Sequence, residues 1–278
     1  MRPLLLLALL AACKPANDDD DAPTATMGLP SGDSAWEGEG VINGFTILLT
    51  LELSNDGGDL TGEATIEDDP EAPLGLGTGI YTLTGTHDPE SGLIAFAPNA
   101  WVRSPLFESE LIGFIGAYDP ETDTIDGNLA DYASEPDNQL LGGPASVTRT
   151  SGDGAALEAG DGGAGLPEGT RPYTGSQQCT SDEREAEGEL TYDGAGAVSG
   201  TITFGDYTLA EGRHTFAFTG VHNPSTGGVT LVPGLFETEG RYVSFFVDAT
   251  YDPSADTFNG DGRTNTGPCP PGLWKAKF

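Results

Sequence analysis

Basic residues are scarce. Lysine and arginine together number 11 in a chain of 278, against 44 aspartates and glutamates, for a formal charge of −33. None occurs between Lys14 and Arg103. A surface of that sign repels phosphate backbones and anionic headgroups, which excludes nucleic acid as a partner and adhesion to a membrane by charge. Cysteine and histidine occur three times each. No CxxC redox spacing is present. HExxH, the GxSxG elbow and a phosphate-cradling glycine loop are missing as well. With 44 acids, close carboxylate pairs arise by chance, so no glycosidase pair stands out. The expectation is a protein that is not an enzyme. Helix-forming runs are lacking too, while glycine (41) and proline (20) punctuate many short apolar stretches, which points to an all-β chain.

One short pattern occurs four times: HDPESG at 87–92, YDPETD at 118–123, HNPSTG at 222–227 and YDPSAD at 251–256. Proline after Asp or Asn presets a turn, and the Asx side chain bonds to the backbone beyond it. Gly92 and Gly227 stand where a left-handed residue returns the chain to its partner strand. Each copy therefore reads as a hairpin tip. The first and third copies are 135 residues apart and the second and fourth 133, so the chain holds two versions of one domain. Asp119, Asp123, Asp126, Asp252 and Asp256 are hard oxygen ligands on these turns, which makes calcium the possible cofactor. The EF-hand spacing is absent, and Asn259 replaces Asp126 in the second copy, so plain turn chemistry is the preferred reading.

The chain begins MRPLLLLALLAAC. Arg2 supplies a charged start, and Leu4 to Leu10 form an apolar run too short to span a bilayer. Leu10-Ala11-Ala12-Cys13 resembles the lipobox of bacterial lipoproteins. The resemblance implies cleavage before Cys13, a diacylglyceryl group on its thiol and an acylated new N-terminus. Lys14 next to it, in place of aspartate, implies the outer membrane as the destination. Cleavage leaves 10 basic against 44 acidic residues, a charge of −34. The lipid is then the expected membrane attachment, since no other stretch approaches the length of a membrane helix.

The organisation follows. Residues 1–12 are the signal peptide. Residues 13–33 are the lipidated cysteine and an acidic tether containing Asp18 to Asp21. Residues 34–150 form the first β-domain, 151–171 a Gly/Ala-rich linker expected to be flexible, and 172–278 the second β-domain. Eight strands are expected in each. The apolar residues of matched strands share one parity: Tyr81, Leu83 and His87 overlay Phe216, Phe218 and His222, while Phe114 and Tyr118 overlay Val247 and Tyr251. That parity is the core, and the polar parity faces water. Glycines recur on the core parity, as at Gly62, Gly85, Gly116, Gly127, Gly200, Gly220 and Gly260, which suits a tightly curled sheet. The expected fold is two tandem antiparallel meander barrels of about eight strands, similar at fold level to avidin- and lipocalin-type barrels. The alternative is a pair of β-sandwiches.

Cys179 and Cys269 fall on the first and last strands of the second domain. An up-and-down barrel places those strands side by side, and export favours a disulfide between them. His87 and His222 occupy equivalent strand ends on the core parity. Either they line a barrel mouth as ligand contacts, or they pack beside their tips and bond to turn backbone. Trp36 is expected to plug one barrel end; the alternative is a sugar platform of Trp36, Trp101 and Tyr207. The function expected is a non-catalytic outer-membrane lipoprotein with a binding or structural role at the cell envelope. The alternatives are a calcium- or carbohydrate-binding surface protein and an enzyme without a recognisable motif.

Overall fold

The computed structural model describes residues 27–42, 44–71, 73, 75, 77–105, 111–130, 142–178, 183–204, 214–236, 245–264 and 272–278. The period-two patterning becomes sixteen strands. In the first half these are β1 (Gly32–Ile42), β2 (Phe45–Asp56), β3 (Asp59–Asp68), β4 (Gly79–His87), β5 (Leu93–Arg103), β6 (Gly113–Asp119), β7 (Thr124–Ala130) and β8 (Pro144–Ser151). In the second they are β9 (Gly169–Gln178), β10 (Glu183–Tyr192), β11 (Ala197–Phe204), β12 (His214–His222), β13 (Gly228–Phe236), β14 (Phe245–Asp252), β15 (Thr257–Thr264) and β16 (Gly272–Lys277). Each half is a closed antiparallel barrel in meander order, sealed where β1 meets β8 and where β9 meets β16. Closure removes the unpaired edges that an open sheet would present. The barrel is therefore the architecture, not the sandwich.

The core parity is buried as the alternation requires. Trp36, Leu51, Leu83, Phe96, Phe114, Tyr118 and Ile125 fill barrel one, and Tyr173, Leu190, Phe218, Val247, Tyr251, Phe258 and Trp274 fill barrel two. Trp36 lies edge-on to Tyr118 at 5.8 Å, and its indole donates to Ser34 Oγ at 3.0 Å. An inward glycine explains the tight coil at one place. Gly116 faces Gly127 across β6 and β7, and a methyl on Gly127 would stand 2.6 Å from the Cα of Gly116. The ring of Phe114 covers both.

The four tips take the expected form. Asp88, Asn223, Asp119 and Asp252 each accept the backbone N–H two residues on. Gly92 and Gly227 are left-handed, with φ of 76° and 83°. In the other two tips the left-handed residue is an aspartate, Asp123 at 56° and Asp256 at 55°, a conformation this short polar side chain tolerates better than most.

Two segments expected to be flexible are built into the fold. Residues 27–33, at the end of the expected tether, run beside the linker. Ser31 N donates to Ala155 O at 2.8 Å, Leu157 N donates to Leu29 O at 3.0 Å, and Pro30 bridges Ala156. The strands also start before the expected boundaries, at Gly32 and Gly169. Backbone pairing, not composition, sets these limits.

The barrels pack reciprocally. β5 lies on β13, and each also meets the other's neighbours, β4 with β13 and β5 with β12. Ala95, Ala97, Ala130, Val221, Val232 and Phe246 form a separate apolar cluster between the halves. Asn223 Nδ2 donates to the carbonyls of Gly57 and His87, both at 3.0 Å. In return, the Asp88 tip lies against Gly196, where a methyl would meet Asp88 Oδ2 at 2.4 Å. Thr86 and Thr230 share a buried hydroxyl bond of 2.8 Å, and Arg263 donates to Thr84 at 3.1 Å.

Candidate functional site

The histidines are not open ligand contacts. His87 and His222 are both 0% exposed. Leu29 N donates to His87 Nε2 at 2.8 Å, and Leu166 N donates to His222 Nε2 at 2.9 Å. The other nitrogen, Nδ1, stands 3.1 Å from Leu93 O in barrel one and 3.0 Å from Gly228 O in barrel two. An Nε2 that accepts leaves the proton on Nδ1, which donates to the carbonyl. Both rings are thus neutral, with both nitrogens taken by backbone. Burial pushes each pKa down to about 4, against a smaller upward pull from the carbonyl.

The donors belong to a repeat that tip spacing does not reveal. Gly28-Leu29-Pro30 and Gly165-Leu166-Pro167 lie 137 residues apart, and Trp36 and Tyr173 follow at the same offset. Leu29 and Leu166 are 2% and 5% exposed, and each belongs to the core of its own barrel. They stopper the tip ends, and the rings bond to turn backbone, the preferred of the two readings, where the other placed a ligand mouth. The GLPxG repeat was readable in the sequence.

The candidate calcium ligands are engaged elsewhere. Asp123 accepts from Tyr118 Oη at 2.9 Å and from Arg149 Nε at 2.8 Å. Asp256 accepts from Tyr251 Oη at 2.8 Å and from both terminal nitrogens of Arg171. The Arg171 guanidinium beside Asp256 holds its carboxyl below the ordinary range. Asp119 and Asp252 are lowered by turn hydrogen bonds, led by the Glu121 N–H and the Ser254 hydroxyl respectively. Asp126 accepts from Thr124. Among the described residues no group of three or more His, Cys, Asp or Glu is placed to hold a metal ion. The carboxylates clasp arginines and turn amides, which fits turn chemistry.

Cys13, Cys179 and Cys269 lie outside the described residues, as does Tyr207. The strands flanking the latter two cysteines, β9 and β16, do pair, with Gln177 opposite Trp274. Trp101 is half-buried and lies edge-on to Tyr81 at 5.3 Å, a packing contact and not a free platform.

Among the described residues the inward side chains of each barrel pack into one apolar cluster. A cavity among Ile202, Phe218, Leu231, Phe245 and Val247 measures about 10 Å³, at the limit of a single water. The outside of barrel two, by contrast, carries a groove of about 730 Å³ between β10, β9, β16 and β15. Glu185, Glu187, Thr174, Lys275 and Lys277 line it, and sequence reasoning singled out none of them.

No family model and no curated protein matches the chain. Among solved structures, the crystal structure of kievitone hydratase from Nectria haematococca is similar over 88% of this chain and 89% of that one, at 10% identity and a TM-score of 0.23. A likeness at that level carries no argument about activity.

Proposed function

We propose that this is an outer-membrane lipoprotein, held by a lipid on Cys13, that has no catalytic role and works through its outer surface in binding or support at the cell envelope. The stoppered tip ends carry this reading. Each described tip end is stoppered by leucine on a neutral histidine, and the cavity in barrel two has room for about one water. A ligand-binding barrel needs several hundred Å³ and a few convergent polar groups. Among the described residues, what the chain offers a partner is therefore outside.

The anchor rests on the Leu10–Cys13 pattern. Residues 14–26 separate Cys13 from the first described residue, a span of at most about 45 Å when fully extended. Cys13→Ser is expected to move the protein from the outer-membrane fraction to the soluble fraction, and from the detergent phase to the aqueous phase. Continued sedimentation of the variant with membranes would refute the anchor. Export also places Cys179 and Cys269 in an oxidising compartment, where a bond between them fastens barrel two at its seam. Titration of denatured, unreduced Cys13→Ser protein should find no free thiol; two free thiols would refute the bond.

A further inference from the structure

The contact between the barrels follows the internal duplication, so its residues have counterparts. One outward row crosses the strands that meet. In barrel one it reads Thr86, Ala95, Ile115, and in barrel two Val221, Thr230, Asp248. A second matched place holds Ala130 in barrel one, opposite Gly113, and Arg263 in barrel two, opposite Phe246. The two halves of the contact therefore differ in chemistry. Where β12 meets β5, Val221 and Ala95 are fully buried in the apolar cluster, with Ile115 packed against it. Where β4 meets β13, the same places hold Thr86, Thr230 and Asp248.

The polar half is a directed network. Thr230 donates to Asp248 Oδ1 at 3.2 Å. A hydroxyl has one proton to give, so the 2.8 Å bond between Thr86 and Thr230 takes its proton from Thr86. Arg263 donates to Thr84 at 3.1 Å, and Thr84 in turn bonds to Asp248. Both chains cross from one barrel to the other, and both end on the Asp248 carboxylate. Charge around that carboxylate is unbalanced. Among the described residues Arg263 is the cation that faces it, and Arg263 also stands 3.7 Å from Asp261. Asp59 adds a negative charge from β3, with Asp56 beside it. The groups brought by β4, β5 and β13 are uncharged: Thr84, Thr86, Ala95 and Thr230.

We propose that this half of the contact is an acid latch: an ionised Asp248 lets the barrels part here, a proton on it holds them together, and the apolar half is the hinge. An apolar row such as the one in the other half would hold the barrels at any pH. A carboxylate between them is drawn back to water by its solvation and pushed by Asp59. Burial is the main cause of its raised pKa and outweighs the Thr84 bond, Arg263 and the Thr230 bond. The closed joint thus takes up a proton more readily than the open one. Closure strengthens as pH falls through the raised value and is weakest once the group is fully ionised. The two histidines act in the opposite direction, because acid unsettles the barrel cores that hold them neutral.

The test places single cysteines in Cys13→Ser protein and follows their reaction with a dipyridyl disulfide, residue by residue in the mass spectrum. Thr86→Cys probes the polar half, and its counterpart Val221→Cys probes the hinge. Val102→Cys, at an exposed position, supplies the reference rate at each pH. Relative to that reference, Thr86→Cys is expected to react at least about ten-fold faster at pH 7.5 than at pH 5, and Val221→Cys less than about two-fold faster. Asp248→Asn, which can still accept both hydroxyl bonds but cannot ionise, should keep Thr86→Cys slow at both pH values. Asp248→Ile with Arg263→Ala, the residues of the apolar half, should do the same. A Thr86→Cys rate that ignores pH, or a ten-fold ratio that survives Asp248→Asn, would overturn the latch. So would a Val221→Cys rate that keeps pace with Thr86→Cys, since the barrels would then separate or unfold as a whole.

Discussion

Between pH 7 and pH 4 the protein is expected to lose about 3 kcal/mol of stability for each of His87 and His222. Each ring has its pKa lowered from 6.5 to about 4, chiefly by burial. Protonation would also aim a new Nε2–H at the N–H of Leu29 or Leu166 that now donates to it. The sign follows from proton counts. Below pH 6.5 the unfolded chain takes up protons that the folded chain refuses, so stability falls with pH until the folded rings also titrate. Asp59 and Asp248 act in the opposite sense. Burial raises both, so their ionised forms cost stability that protonation restores. Their effect runs from the ordinary carboxylate pKa up to the raised one, and following the imidazoles individually separates the two contributions. Urea midpoints at pH 7.0, 6.0 and 5.0, with NMR titration of the imidazole Cε1 protons, check it. A flat midpoint, or rings titrating near 6.5, would sink the expectation.

Truncating a stopper should cost nearly as much. Leu29→Ala and Leu166→Ala each remove a buried leucine side chain from a barrel core, a loss of about 2–5 kcal/mol. The backbone donor to the histidine stays, but water gains access to the ring. Burial is the main cause of the low pKa, so the ring should titrate at higher pH in the matching variant. The two halves provide mutual controls: Leu29→Ala should shift His87 and leave His222 in place, and the reverse for Leu166→Ala. A loss below 1 kcal/mol, with both rings unmoved, would show that the leucines merely rest on the surface.

Much of the fold was legible because strand burial leaves a period-two trace and the tips carry their own turn chemistry. The parity that places Tyr81, Phe114, Phe218 and Tyr251 with the core residues is the parity found buried. The sites were less legible for a definite reason. A histidine on core parity near a strand end looks the same from sequence whether the end is open or stoppered. The answer depends on Leu29 and Leu166, which lie 58 and 56 residues away. The linker and residues 27–33 are held together although both were expected to be flexible, because composition measures chain freedom and not pairing. The linker is held by backbone bonds to Leu29 and Ser31, which its composition does not encode. Nor could the acids at the tips announce their partners: Arg149 reaches Asp123 from β8, the next strand of the meander, and Arg171 reaches Asp256 from β9, which barrel closure brings near.

The reciprocal packing of the barrels has a consequence for the protein's behaviour when it is rare. Two identical barrels meeting through such a surface would be a dimer, and a dimer comes apart on dilution. Here one polypeptide joins the halves, and each stays within reach of the other whatever the copy number. A single chain would still present a complete pair.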